Sequence, residues 1–455
     1  MSERLTAREA IARVSSAFTE LPAPEGRFAP EGRSASEGRS VADGPIAWQG
    51  YDEQHSRAEL RTGERESAIC GTGTVDGIEV VLISFEFGFL GGSLGERTGD
   101  RLEAAYTHAR ERRLPLVSLI ATGGSRMQEG MRALVQLQRV ARQSTLTRAA
   151  GLPQIAVVRD PSTGGGWATL GAGADVVLAL PGAQIGFAGS RVRPADADPA
   201  AYTAEAQLAA GHVDAVVTQE ELRQTLGRWL TLLTAPSDAP APPPHALGRA
   251  ELPATGWEAV QHARSADRPR AAAYLDDYFE TREAISGDRS GGVDPGMLCG
   301  FGLREGRAIA YAAQCGTATL PAGYRTAARL IRLADRLGVP VLTLIDTPGA
   351  ANDAAAEHAG AGPAIADAFA AVAAARVPVT TLVIGEGGSG GALALASPGN
   401  TWATPDSYFS VIAPELAAAI LKRGPDQARA TAEQLRLRPQ DLVDLGIARG
   451  VVSTG

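Results

Sequence analysis

Lysine is nearly missing. Of 43 lysines and arginines among 455 residues, one is a lysine, Lys422. Lysine-dependent chemistry therefore has one candidate, in AILKRGPD, which reads as a helix end, and no GxxxxGK phosphate loop can be written. Cysteine is scarce too. Cys70, Cys299 and Cys315 form no C-x-x-C pair, so neither a zinc ribbon nor a redox motif is supported, and buried thiols in a reducing cytoplasm are expected. The histidines (His55, His108, His212, His245, His262 and His358) show no ligand-like spacing, so no metal is predicted. No apolar run approaches the length of a membrane span, and MSERLTAREA lacks the apolar core of a signal peptide. The net charge of −8 and pI of about 5.5 argue against a general nucleic-acid or anionic-membrane surface, which would need a basic face.

What is present is ordered. Residues 1–20 read as a short amphipathic helix. Glu-Gly-Arg then recurs at 25–27, 31–33 and 37–39 in a Pro/Gly/Ser-rich stretch, so 1–45 is predicted to be a helix and a disordered tether. Proline density makes 234–256 an extended linker. Two domains follow, 46–233 and 257–455. They look like copies of one pattern. LPLVSLIATGG matches VPVLTLIDTPG, with nine residues from Pro115 to Gly124 and nine from Pro340 to Gly349. Pro115 to Pro153 and Pro340 to Pro378 are both 38 residues, and twelve more lead to Gly165 and to Gly390. Each copy reads as short apolar strands buried on both faces, each ending in glycines and followed by a helix. After Gly124 an apolar stripe of Met127, Met131, Leu134, Leu137 and Ala141 marks an amphipathic helix. The fold class is α/β.

A glycine turn at a helix start leaves backbone N–H groups unsatisfied and lets a ligand approach the backbone. It suits a phosphate or an oxyanion that develops during reaction. GEGGSGG at 385–391 also satisfies two familiar patterns. Gly385, Gly387 and Gly390 fit G-x-G-x-x-G, but in the last of four turns rather than in a βαβ unit of their own. Gly387, Ser389 and Gly391 fit the hydrolase elbow G-x-S-x-G. That fold needs a histidine after the serine, and the last one, His358, precedes it. Glu386 beside this turn reads as a cap or ion-pair residue.

At these residues a family resemblance emerges. GTGTVDGIEVVL, FEFGFLGGSLGE, GGSRMQEG, DPSTGGGWAT and PGAQIGFAGSRV resemble the beta subunit of bacterial acetyl-CoA carboxylase carboxyltransferase. PAGYRTAARLIRLADRLGVPVLTLIDTPGA, VIGEGGSGGALALA and YFSVIAPE resemble its alpha subunit. The resemblance implies two tandem crotonase-like domains related by internal duplication, the beta-like one on the acyl-CoA side and the alpha-like one on the biotin side. It implies transfer of a carboxyl group from carboxybiotin to a short acyl-CoA such as acetyl-CoA, giving malonyl-CoA. Deprotonated biotin would take the α-proton, and two oxyanions would need two donor sets. Gly123 and Gly124 would hold the thioester oxygen, and Gly390, Gly391 and Ala392 the biotin oxygen. Gly91, Gly92, Gly165 and Gly166 would shape the CoA side, with Arg126, Phe187, Ala188, Tyr324 and Gly349 among the substrate-binding residues. No metal and no catalytic side chain are required.

Departures from the family pattern bear on the acyl substrate. The four-cysteine ribbon is missing, AAQCGTATLPAGYR is short, ANDAAAEHAGAG replaces a charged run, and DPSTGGGW places Trp167 near a pocket. A malonyl-thioester decarboxylase on the same fold and a non-catalytic carboxylase scaffold subunit are the alternatives. Lys422 lacks a biotin-attachment context, so a separate biotin carrier protein and biotin carboxylase are expected partners, and the chain itself is expected to form at least a homodimer.

Overall fold

Short runs dominated by apolar and β-branched residues cannot leave either face in water, and such runs set the centre of each sheet. A computed structural model of the chain describes residues 4–24 and 43–455. They form two compact units that meet in sequence between Thr234 and Ala235. The Glu-Gly-Arg repeats lie outside the described residues.

In the first unit the strands are β1 (Ala17–Glu20), β2 (Ala68–Val75), β3 (Ile78–Phe85), β4 (Leu116–Thr122), β5 (Gln154–Thr163), β6 (Val176–Ala179), β7 (Ile185–Gly186) and β8 (Ala215–Val216). They make one sheet in the order β1-β2-β3-β4-β5-β6-β8, with β7 on β5. The first three are antiparallel and the rest pair in parallel. The second unit has β9 (Thr281–Ile285), β10 (Met297–Arg304), β11 (Arg307–Gln314), β12 (Val341–Thr347), β13 (Val379–Gly388), β14 (Thr401–Ala403), β15 (Tyr408–Ser410) and β16 (Gly450–Val451). Their order is β9-β10-β11-β12-β13-β14-β16, with β15 on β13. Strand for strand, this is the arrangement of the first unit.

The match extends to single residues. β4 and β12 each have seven residues, all buried, as the apolar runs predict. β5 and β13 each have ten. The register slips after Ile120 in one pair and after Ile345 in the other. The crossover helices, Glu96–Arg112 and Pro321–Leu337, both span 17 residues and end on a left-handed residue, Arg113 or Gly338.

Three expectations need revision. The helix expected over 1–20 is confined to Ala7–Val14, where Thr6 and Glu9 form a capping box. Ser15 and Ser16 interrupt its apolar period, and Ala17–Glu20 turns into an edge strand on β2. The Pro-rich stretch 234–256, expected as a spacer, forms no helix or strand before Gly256 and lies against the second unit. The Pro242 carbonyl accepts from Tyr278, the Ala241 carbonyl accepts from Thr380, and Ala246 bridges Thr454. The first three residues of the stripe after Gly124 face outward, and only Leu137 packs against the core. Met127, Met131 and Leu134 are exposed, and the helix Gln136–Ala149 buries Gln136, Val140, Gln143, Ser144 and Thr147 instead. Polar side chains can occupy that inner face because they find partners there: Gln143 holds Glu103 and Arg110, and Ser144 holds Gln154.

Candidate active site

All four glycine turns lie where the sequence placed them, at the ends of β4, β5, β12 and β13. They serve two different purposes. Those after β4 and β12 are closed on themselves. The Gly123 amide donates to the Gly91 carbonyl at 2.9 Å and the Gly124 amide to Thr122 Oγ1 at 3.1 Å. The Gly349 amide does the same with Thr347 Oγ1, at 3.1 Å. Gly123 and Gly124, expected as oxyanion donors, therefore have their amides committed within the protein.

Open amides are found one strand further along. After β5 the chain enters a helical turn at Gly164–Gly166, and after β13 it enters the helix Ser389–Leu393. A helix start leaves its first N–H groups without partners in the ladder. The amides of Gly165, Gly166, Gly390 and Gly391 meet no acceptor among the described residues. Glycine is required at most of these positions. A Cβ on Gly166 would lie 2.5 Å from Thr122 Cγ2, and one on Gly391 would lie 2.5 Å from the Ala350 nitrogen. A Cβ on Gly390 would meet nothing within 4 Å, so this turn is open on its Gly390 side.

The closed turns back the open ones. A Cβ on Gly164 would lie 3.0 Å from Gly124 Cα, and Gly391 packs in the same way on Gly349. Both open turns begin with a left-handed residue, Gly164 at φ +65° and Ser389 at φ +59°. Each also has an exposed apolar residue just after the short strand that pairs beside it: Phe187 after β7 and Val411 after β15. The Phe187 carbonyl accepts from the Gly164 amide at 3.0 Å, which ties Phe187 and Ala188 to the first turn. Gly91 and Gly92, both left-handed, stand behind Gly123 and Ala121.

Of three residues expected near substrate, Arg126 and Trp167 are placed elsewhere, and Tyr324 lies buried behind the second open turn. Arg126 is 1% exposed and bonded to Glu66, Glu129, Tyr51 and Ser93, so it cannot reach a phosphate. Burial alone would raise the Glu66 carboxyl, but the charge and hydrogen bonds of Arg126 hold it below the usual carboxylate range. Tyr324 is fully buried, with its hydroxyl on the Gly391 carbonyl at 2.9 Å. Trp167 packs into the core of the first unit.

Glu386 is an ion-pair residue, held by Arg264 Nε at 2.8 Å and the Tyr408 hydroxyl at 2.7 Å. Gln314 and Thr319, behind the second turn, were missed. Their only signal is a polar residue ending the apolar run AIAYAAQ. A cavity of about 350 Å³ lies away from the turns, lined by Leu21, Asp100, Glu103, His108, Glu111 and Arg139. Among the described residues no group of His, Cys, Asp and Glu converges as a metal site, and no helix is long and apolar enough to cross a membrane.

Known proteins share this plan. Residues 251–454 match the family model described as acetyl co-enzyme A carboxylase carboxyltransferase-like. The acetyl-coenzyme A carboxylase carboxyl transferase subunits beta/alpha of Saccharopolyspora erythraea is 39% identical over 420 residues, which are 88% of this chain and 74% of that protein. A probable biotin-dependent acyl-coenzyme A carboxylase beta3 subunit of Mycobacterium bovis is 34% identical over 90% of this chain and 84% of its own. Among solved structures, the transcarboxylase 12S hexamer superposes with a TM-score of 0.78 at 20% identity, covering 99% of this chain and 86% of that one, a likeness of fold.

Proposed function

The chain belongs to the acetyl-CoA carboxylase carboxyltransferase family and is a biotin-dependent carboxyltransferase, and from that premise we propose that it carries the carboxyl group of carboxybiotin to a short acyl-CoA such as acetyl-CoA, giving malonyl-CoA. We read the two units as crotonase-like domains related by internal duplication, the first on the acyl-CoA side and the second on the biotin side. The observation that carries this reading is the pair of open turns, Gly165–Gly166 and Gly390–Gly391, at matching places in the two sheets.

The reaction develops negative charge on two oxygens, and preorganised amides lower its barrier at both. Gly165 and Gly166 replace Gly123 and Gly124 as donors to the thioester oxygen while the acyl α-carbon gives up its proton. Gly390, Gly391 and Ala392 face the biotin urea oxygen. The open side of Gly390 fits that group, since a planar ring edge can come up to the amides without meeting a side chain. Carboxybiotin brings the carboxyl group and, on its release, a nitrogen that takes up the α-proton. No side chain need act as base, which agrees with Glu386 being tied to Arg264 and Tyr408. Phe187 and Ala188 border the approach to the first turn, with Gly91 and Gly92 beneath it, and Gly349 walls the second.

Biotin comes on another protein. Lys422 follows the helix Pro414–Ile420 in a left-handed turn, not at a hairpin tip. The forward reaction therefore needs a biotin carboxylase and a carrier protein, and the chain works as a homodimer or larger assembly. Incubation of the full chain with malonyl-CoA and free biotin tests the reading. Loss of the malonyl carboxyl group that depends on biotin is expected. Carbon dioxide release without biotin would instead favour the decarboxylase, and failure to bind malonyl-CoA the scaffold.

A further inference from the structure

The helix Ser389–Leu393 has only five residues, too few to hold its own shape by backbone bonding. Its ladder is also broken where the donors sit. The Leu395 amide, which would ordinarily bond the Gly391 carbonyl, goes to the Ala392 carbonyl at 3.3 Å. The Gly391 carbonyl is taken by two side chains from elsewhere in the unit. Tyr324, the fourth residue of the helix Pro321–Leu337, donates its hydroxyl at 2.9 Å, and Gln314, the last residue of β11, donates Nε2 at 3.3 Å. Both side chains are fully buried. Gln314 also reaches Thr319 Oγ1 at 3.1 Å, and Thr319 reaches Thr347, whose hydroxyl anchors the closed turn at Gly349. Gln314 Oε1 is buried with no donor among the described residues. A buried amide with one end unsatisfied is costly, and turning it over would set its oxygen against the Gly391 carbonyl.

We propose that Tyr324 and Gln314 are positioning residues that clamp the Gly391 carbonyl inward and thereby orient the donor turn of the second unit. In a planar trans peptide the C=O and N–H point in opposite directions. Holding the Gly391 carbonyl against the clamp turns the Ala392 amide of the same peptide away from it. Among the described residues the first unit has no such clamp. Phe85 ends β3 where Gln314 ends β11, and Gly99 is the fourth residue of its helix where Tyr324 stands. Burial pushes the Tyr324 hydroxyl well above its usual range, which keeps it a donor at any working pH.

This inference rests on the reading of Gly390–Gly391 as a donor site, and its test separates the two. Tyr324→Phe and Gln314→Leu, in the full chain, are assayed with malonyl-CoA and free biotin, alongside Gly390→Val and thermal unfolding. Tyr324→Phe is expected to stay folded, to leave KM for malonyl-CoA within about twofold, and to lower kcat roughly 10-fold or more, a fraction of the 10²–10³ that removal of a donor typically costs. Gln314→Leu, which removes the orphaned oxygen as well, is expected to fold and to lower kcat by less. The double variant should lose more than the product of the single losses, since each donor covers for the other. Undiminished kcat in Tyr324→Phe, or a loss that only tracks the unfolded fraction, overturns the clamp. If Gly390→Val blocks transfer while Tyr324→Phe does not, the clamp falls and the donor site stands. If neither changes kcat, both fall.

Discussion

The two units use one sheet order and build the charge cluster beside the closed turn in opposite senses. In the first, a single buried guanidinium, Arg126, answers two carboxylates, Glu66 and Glu129. In the second, a single buried carboxylate, Asp346, answers two guanidinium groups, Arg268 and the half-exposed Arg270. Both clusters lie beside the closed turns, Arg126 just after Gly124 and Asp346 just before Thr347. The shared requirement is a rigid floor beneath an open turn. Either sign of charge meets it, provided every partner is satisfied. Neither cluster touches the open amides, so a charged residue next to a glycine motif is poor evidence of a ligand.

Breaking one floor tests this view and should give the largest effect. Arg126→Met leaves Glu66 and Glu129 buried without their cation, and such a loss costs about 3–5 kcal/mol. A large drop in the urea midpoint of the first unit is expected, with the second unit keeping its own transition. Acid should do the same more gradually. Because the Glu66 carboxyl is held low in the folded protein, its stabilisation is fully present above the unfolded value of about 4.3 and is lost as pH falls through the folded one. Glu66→Gln should therefore flatten the acid limb of a plot of Tm against pH. A limb unchanged in that variant would remove Glu66 from the account.

The open turns come next, and here the two glycines of the second unit should part company. Gly390→Val adds a side chain where nothing lies within 4 Å. It should fold normally yet lose roughly 10²–10³ in kcat/KM by keeping the ligand from the amides. Gly391→Ala places a methyl 2.5 Å from the Ala350 nitrogen and should destabilise by about 1–3 kcal/mol through overpacking. Equal unfolding midpoints for the two variants would show that packing at this turn is misread.

Spacing made the fold legible. Equal intervals from Pro115 and from Pro340 located β4, β5, β12, β13 and all four turns, because a strand buried on both faces must be mostly apolar and a close backbone approach must be glycine. Which glycines keep free amides was not legible. Gly123–Gly124 and Gly165–Gly166 look alike in sequence, and only the acceptors at Gly91 and Thr122 separate them. The burial of Arg126 and of Tyr324 was not legible for a related reason. A polar residue near a motif reads as a contact to ligand until its buried partners are known, and Glu66 lies 60 positions from Arg126. The stripe at Met127–Leu134 misled because no single helix carries it: Met127 lies on a 3-10 turn and Met131–Leu134 is a short helix of its own, ahead of the helix Gln136–Ala149, whose inner face carries Gln136, Gln143 and Ser144.

The smallest effect concerns the residue that opens each donor turn. Gly164 adopts φ +65° without a side chain, whereas Ser389 holds φ +59° with one, a conformation that costs a non-glycine residue about 1–3 kcal/mol. Its side chain is exposed, and its hydroxyl meets no partner among the described residues to offset that cost. Ser389→Gly relieves the strain but gives up about 0.5–1 kcal/mol of chain entropy. A net stabilisation of about 1 kcal/mol or less is expected, seen as a Tm rise of about 2–4 °C at most. Carboxyl transfer should persist in this variant and in Ser389→Ala, since the donors are the amides that follow. Complete loss of transfer in a folded Ser389→Ala protein would make the serine a nucleophile after all. The resemblance of this turn to a hydrolase elbow would then be chemical as well as geometric.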